Sequence, residues 1–392
     1  MTEYFDLARE LFPYSQRLRR DFHRHPELGY KEVRTAGIVA KELSSLGLEV
    51  TTGVAKTGVV SVLEGLTPGP TILLRFDMDA LPVQEETGKE YASTNPGLMH
   101  ACGHDGHMSV GLTVAHLLAR KRQKLGGQAK LVFQPAEEGL FGAERMIEAG
   151  VLRDPVPEHT LALHIWNELP VGTIAIVPGP LMAGAEIFQI KLVGRGGHGA
   201  LPHQTIDPVA AAVQVVTALQ TIVSRNVSPL KPAVVSVTQI QAGDAFNVIP
   251  QSVELRGTIR TFEPGIRDIV LRRFRELVEG VSHSLGCSAN IQIDRLTPPV
   301  INDPDLAALL AEKVRKKMPS ANLITSFQSM VSEDMAYMME EVPGVYMLVG
   351  GANSSEKLDY PHHHPKFDFD ESALIWASAL MTLAASELMG SS

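Results

Sequence analysis

The order of strand-like and helix-like segments changes character once along this chain, near Pro178-Gly179-Pro180, and that change limits the architecture more than any other feature. Before it, helical periodicity (Leu7, Leu11, Leu18, Phe22, then residues 31–46, ending at Gly47) leads into strand-like runs at 59–63 and 71–76. A helical stretch over 106–124 stops at Gly126-Gly127, and a compact strand at 129–134 is closed by Pro135. A short helix at 143–149 and strands at 159–165 and 173–177 complete the first part. Strands alternating with helices predict an α/β unit whose mixed sheet is covered by helices. After the change the order becomes strand (187–193), helix (207–224), strand (233–241), strand (253–261), helix (265–285), strand (289–293). This βαββαβ order suits a small α+β sandwich, and Pro298-Pro299 closes it. A helix at 303–317, a strand at 344–349 and a last helix at 370–389 follow. The expected organisation is a discontinuous catalytic domain, 1–183 plus 296–392, with a second domain, 184–295, inserted between its halves.

Composition narrows the class. In 392 residues, 44% are hydrophobic and 20% charged, which is ordinary for a globular chain with a sizeable core. The net charge of -9 argues against a nucleic-acid or anionic-membrane partner. Two cysteines, Cys102 and Cys287, do not make a disulfide framework and point to a reducing compartment. The opening MTEYFDLARELF carries Glu3 and Asp6 and lacks the apolar stretch of a secretory leader, so a cytoplasmic location is expected. The least charged segments, 208–224 and 372–386, fall short of the roughly 18–20 apolar residues a membrane span requires and read as buried helices.

Chemistry-bearing side chains concentrate in four short segments: MHACGHDGHM (Cys102, His104, Asp105, His107), FQPAEEG (Glu137, Glu138), LALHIW (His164) and YPHHHPKFDFDE (His362, His363, His364). Cys, His and Glu are the donor types that divalent transition metals prefer. Neighbouring side chains diverge, so one of Glu137 and Glu138 can hold metal while the other faces a water as general base. Both lie just beyond a predicted strand, where α/β sheets bind ligands. Each segment alone has a bland reading: a small buried cysteine, a satisfied core histidine, a solvated acidic pair, a surface histidine loop. Together they point to a metal site. A thiol enzyme with Cys102 as nucleophile beside His104 and His107 is an alternative, but it leaves the carboxylates without a role.

These segments, with RRDFHRHPELGYKE, RFDMDALPVQEE, GRGGHGALPHQTIDP, AFNVIP, ELRGTIRTF and SEDMAYM, resemble the co-catalytic metallopeptidase-like amidohydrolases. That group includes hippurate hydrolases, N-acyl-amino-acid amidohydrolases, indole-acetyl-amino-acid hydrolases and bacterial carboxypeptidases. The resemblance runs over nearly the whole chain. It implies cleavage of the amide bond of an N-acyl amino acid or short peptide by a hydroxide shared between two divalent ions. Zn2+ or Mn2+ are expected first, and Co2+ or Ni2+ also suit the donors. Implied ligands are Cys102, His104, Glu138, His164 and His363; Glu137 is the implied base, and Asp79 the acid that orients a ligand histidine. In the inserted domain, which the resemblance makes a lid and dimerisation domain, His198 is implied to stabilise the oxyanion in a partner subunit. Asn247 and Arg260 are implied to hold the substrate. A homodimer or homotetramer follows from the same resemblance. The other functions weighed are a carboxypeptidase or dipeptidase acting mainly on peptides, and a metal-dependent binding protein without catalysis. No ligand or base of the motif set is missing, which argues against the last. Gly199 and Gly106 stand where relatives often carry alanine, and neither change removes a donor.

Overall fold

The computed structural model describes residues 3–390, which divide into two compact units. The first takes the chain through Leu181, then Ile301–Phe327, then the chain from Asp334 onward; the second is Met182–Val300 with Gln328–Glu333.

The first unit is built on an eight-stranded mixed sheet. Its order is Val50–Val54, Gly58–Glu64, Gly126–Gln134, Thr67–Asp77, His159–Pro170, Gly344–Ala352, Thr173–Ala175, Asn322–Ile324. The four middle strands run parallel, from Gly126–Gln134 across to Gly344–Ala352. Their sequences (ILLRFD, AKLVFQ, LALHIW, VYMLVG) are largely apolar and buried at every residue, because helices cover both faces of a parallel sheet. Register sets the depth of the chemistry. Asp77 pairs with Gln134, and Arg75 pairs with Ala162, so His164 lies level with Asp77 near the carboxyl ends of the strands. The helices His104–Lys121 and Ala373–Met389 pack on this sheet and on each other. Ala373–Met389 is buried nearly all round, from Ala373 and Leu374 to Met389, as the uncharged sequence predicts. Among the described residues no helix is long and apolar enough to cross a membrane.

The second unit is an antiparallel four-stranded sheet, in the order Ala233–Ala242, Ser252–Thr261, Gly184–Val193, Ser288–Thr297. Two helices, Pro208–Asn226 and Pro264–Ser284, pack on it. This is the βαββαβ order that the sequence predicts. Asp207 caps the first of these helices through Val209 N–H and Ala210 N–H. That helix is amphipathic rather than buried throughout. Ala211, Val215, Leu219 and Ile222 face the core, while Val213 is 57% exposed. Low charge alone does not distinguish the two cases, since uncharged Val, Gln and Thr also populate an outer face.

The first unit also buries an ionic knot. The Arg19 guanidinium donates to Asp105 Oδ2 at 2.8 Å and to Asp368 Oδ1 at 2.5 Å. His23 Nδ1 reaches Asp105 Oδ2 at 2.8 Å, and Tyr91 donates to Asp368 Oδ2 at 2.8 Å. Burial alone would depress His23, but the Asp105 and Glu85 carboxylates together outweigh it and lift the imidazole to about 9. Removing one partner of such a knot leaves a buried charge uncompensated. Because His23 is raised from 6.5, its stabilisation is complete below that pH and fades as pH rises through about 9. The expected result is a melting temperature that falls between pH 7 and pH 10. His23→Gln should flatten that fall and lose on the order of 3 kcal/mol of stability at neutral pH. Parallel melts of both proteins across that range decide it, and equal slopes would refute the assignment.

Candidate metal centre

The site lies past the carboxyl ends of the parallel strands. Thr67–Asp77 runs into Met78-Asp79; Gly126–Gln134 runs into Pro135-Ala136-Glu137-Glu138; His159–Pro170 carries His164; and the helix His104–Lys121 begins beside them. Gly103, the residue before that helix, has φ 88, a left-handed conformation that turns Cys102 and His104 toward the same space.

Two groups of donor atoms, each within 4.8 Å, share Cys102: one adds His104 and His164, the other Glu138 and His363. His104 Nδ1 donates to the Asp79 carbonyl oxygen at 2.9 Å, with Asp79 Oδ1 at 3.3 Å, which leaves its buried Nε2 without a partner. His164 Nδ1 donates to the Ile165 carbonyl oxygen at 2.7 Å, so its Nε2, 3.4 Å from Cys102 Sγ, keeps its lone pair. Glu138 Oε1 is buried and lies 3.2 Å from His363 Nε2, without hydrogen-bond alignment. His363 is turned to this position by its own left-handed φ of 66 and by its N–H on the Ala101 carbonyl oxygen at 2.8 Å. Of its neighbours, His364 stacks on Tyr360. His362 stacks on His164 at 5.0 Å with both ring nitrogens buried and unpartnered.

The electrostatics ask for a cation. Burial alone would depress His104, yet Asp77 and Asp79 overcome it and lift the imidazole to about 10. Burial and the Glu138 and Glu137 carboxylates hold the Cys102 thiol well above its ordinary range. Burial and the neighbouring His107 and His362 hold His164 well below its own. A neutral thiol beside a poorly basic imidazole is the opposite of an activated thiolate pair, so the chain's own groups do not activate Cys102 as a nucleophile. A soft thiolate, imidazoles and a carboxylate with unpartnered buried donor atoms fit a divalent transition metal.

A third group, Asp77, His104 and His107, is also compact. Here Asp77 and His107 are already committed. Asp77 Oδ1 accepts from His107 Nδ1 at 2.6 Å and Oδ2 accepts from Arg75 at 2.5 Å, while His107 Nε2 accepts the Ile165 N–H at 3.0 Å. We read it as an internal brace that locks the helix bearing His104 to the strand bearing His164. The sequence holds one clue to it, the i,i+3 spacing of His104 and His107 on one helix face.

Glu137 and Glu138 sit on a tight elbow. Ala136 (φ 58), Gly139 (φ 71) and Phe141 (φ 62) are all left-handed. The Glu138 N–H donates to Asp79 Oδ2 at 3.0 Å, and the Ala143 N–H to Asp334 Oδ2 at 2.9 Å. The Asp334 N–H approaches Glu137 Oε1 at 3.4 Å. Asp79 thus touches both His104 and the Glu138 backbone. Asp334 also receives Arg75 at 2.9 Å and Gln134 at 2.8 Å; SEDMAYM gave no hint of this role because its partners lie far away in sequence.

The three remaining predicted residues belong to the second unit. His198, on the short strand Gly197–His198, pairs with Val248, and the Gly199 N–H donates to the Asn247 carbonyl oxygen at 2.8 Å, so His198 and Asn247 are neighbours on an exposed surface. His198 Nδ1 accepts the Ala200 N–H at 3.0 Å. Arg260 is half-buried; its Nε donates to Thr258 Oγ1 at 3.2 Å and its Nη1 is buried without a partner.

This donor set at the carboxyl ends of the parallel strands fits a metal-dependent enzyme of the α/β class, and the comparisons with known proteins name the family. The profile of peptidase family M20/M25/M40 matches residues 73–386. N-acetyl-L-cysteine deacetylase of Bacillus subtilis is 39% identical over 374 residues, 95% of this chain and 88% of that one. N-acyl-L-amino acid amidohydrolase of Geobacillus stearothermophilus is 47% identical over 286 residues, 72% and 76% of the two chains. The crystal structure of a Bacillus subtilis dinuclear metal binding peptidase from the M20 family superposes with a TM-score of 0.86 at 35% identity, covering 97% of this chain and 99% of that one. The chain belongs to peptidase family M20/M25/M40 and is a hydrolase of carbon–nitrogen bonds.

The elbow tolerates no added atom at Gly142, where a Cβ would stand 1.8 Å from the Pro135 carbonyl oxygen. Gly142→Ala is expected to destabilise the protein by about 1–3 kcal/mol and to lower turnover with it. Thermal melts and initial rates read both, and a variant as stable as the parent would show that the elbow is loose.

Proposed function

We propose that this chain is a metal-dependent amidohydrolase that cuts the amide bond of N-acyl amino acids, or of short peptides, and releases a free amino acid. The observation that carries the reading is the pair of donor groups sharing Cys102, with Glu137 on the same elbow as Glu138. The relatives support the substrate class by their names, an N-acetyl-L-cysteine deacetylase and an N-acyl-L-amino acid amidohydrolase.

In this reading Cys102, His104, Glu138, His164 and His363 hold two divalent ions. Zn2+ suits a thiolate with imidazoles, and Mn2+ a site containing a carboxylate; Co2+ and Ni2+ also fit. When bound, such ions acidify water and polarise the scissile carbonyl. Glu137 accepts a proton from the attacking water and delivers it to the departing nitrogen, so that the amine leaves neutral and the acid carries the new oxygen. Asp79 keeps His104 in the tautomer that leaves Nε2 available, and it fixes the Glu138 backbone. His198 stabilises the oxyanion, in the neighbouring subunit of a dimer or tetramer. Arg260 and Asn247 receive the carboxylate of the amino-acid part. An unpartnered guanidinium nitrogen on Arg260 is the donor such a carboxylate takes.

The experiment is release of free amino acid from a panel of N-acyl amino acids and dipeptides, before and after chelation and with metal restored. Activity that disappears with the metal and returns with it is expected. Glu137→Ala should keep its metal and lose at least about a thousandfold in kcat, while Glu138→Ala loses metal as well. Cys102→Ser should weaken both ions, since both donor groups use that sulfur. Near-parental turnover by Glu137→Ala would refute the role given to Glu137.

A further inference from the structure

The segment RRDFHRHPELGYKE contributes no donor atom to the candidate metal groups, yet one of its side chains reaches the elbow directly. Glu32 is fully buried. Its Oε1 accepts the Ala136 N–H at 3.0 Å, and its Oε2 accepts the Thr57 hydroxyl at 2.7 Å. Burial pushes the Glu32 carboxyl above its ordinary range, and the Thr57 hydroxyl acts against that rise. The residue it holds is the one that aims the elbow. Ala136 adopts φ 58 immediately before Glu137, a conformation that costs a non-glycine residue about 1 kcal/mol and persists only where surrounding contacts impose it. Gly29, from the same segment, closes the other side. A Cβ there would lie 3.0 Å from the Ala136 Cβ and 2.7 Å from Leu140 Cδ1. Glu138 has its own separate tether on Asp79. Two carboxylates therefore grip two successive stretches of the elbow, Glu32 ahead of Glu137 and Asp79 behind it.

We propose that Glu32 is a positioning residue for the reaction: by holding the Ala136 N–H it keeps Ala136 left-handed and so directs Glu137 toward the substrate water, while metal retention depends on the separate Asp79 tether. This rests on Glu137 being the general base. Glu32 itself touches neither substrate nor metal. Its loss should therefore separate turnover from both substrate binding and metal content, which a general packing role would not do.

The test uses the metal-loaded full chain with the N-acyl amino acid it cleaves best. Glu32→Ala is expected to lower kcat about 30-fold or more, as a small misplacement of a base does. KM should stay within about threefold and metal content should remain at the parental stoichiometry. Glu32→Gln keeps an oxygen for the Ala136 N–H and should stay within about threefold of the parent in kcat. Ala136→Gly should recover at least about fivefold of the loss in the Glu32→Ala background, because glycine takes the left-handed conformation without penalty. Should Glu32→Ala not fold, Glu32→Met, which keeps the side-chain volume, serves for the same comparison. A kcat within threefold of the parent in Glu32→Ala overturns the proposal. So does a loss of metal and kcat in step that Ala136→Gly does not relieve, since that marks a general structural role. Glu137→Gln is measured alongside. If it stays active, the assignment of the base has failed and the positioning role falls with it; if it is inactive while Glu32→Ala turns over normally, the positioning role alone has failed.

Discussion

Acidic side chains taken out of water must find partners, and the first unit of this protein is organised around that requirement. Asp77, Asp79, Asp105, Glu32, Asp334 and Asp368 are all buried. A lone buried carboxylate is expensive, and the offset comes from paired cations or several N–H donors. Asp105 receives Arg19 and His23; Asp77 receives Arg75 and His107; Asp334 receives Arg75, Gln134 and the Ala143 N–H. Glu32 and Asp79 instead receive backbone N–H groups of the elbow. His104 Nε2 and Glu138 Oε1 are among the buried atoms left without a hydrogen-bond partner, and both residues fall in donor groups that include Cys102. The candidate metal centre is one place where the buried polar network is left open.

The same network explains how a site assembled from distant segments holds its geometry. The candidate donors come from a helix start, an elbow after one strand, the body of another strand and a loop near residue 363. Each is braced by a neighbour that is not itself a donor. His107 ties its helix to the His164 strand, Asp79 ties the end of Thr67–Asp77 to the elbow, and the Ala101 carbonyl turns His363. Donors held by other parts of the protein need little reorganisation when charge develops, which is the usual source of catalytic electrostatics. It also accounts for strained residues such as Ala136, Phe141 and His363 clustering at this end of the sheet.

Much of this was legible in the sequence. Helix and strand positions were readable to within a few residues, because apolar periodicity and Gly/Pro stops are local signals. Examples are the helix Pro304–Lys317 after Asp303 and the strand Gly126–Gln134 before Pro135. The βαββαβ order of the second unit was readable for the same reason. The motif segments, through a family resemblance, marked Cys102, His104, Glu137, Glu138, His164 and the histidine triplet as chemistry. The short helix Met335–Glu341 and the edge strand Val50–Val54 were not legible, since each is short and stabilised by its neighbours rather than by its own pattern.

The sequence by itself thus determined the elements, the class of fold and the inventory of donor types, all of which depend on residues close together in the chain. Only the tertiary structure decided which atoms are free to bind. It turned His363 toward Glu138 while stacking His362 on His164 and His364 on Tyr360, though the three are consecutive and chemically identical. It committed Asp77 and His107 to each other and left His104 Nε2 open. It also brought Glu32 and Asp334 to the elbow from about 100 and 200 residues away. The physical reason is that a donor's availability is set by what already occupies its lone pairs, and those occupants are chosen by packing across the fold, not by sequence neighbours.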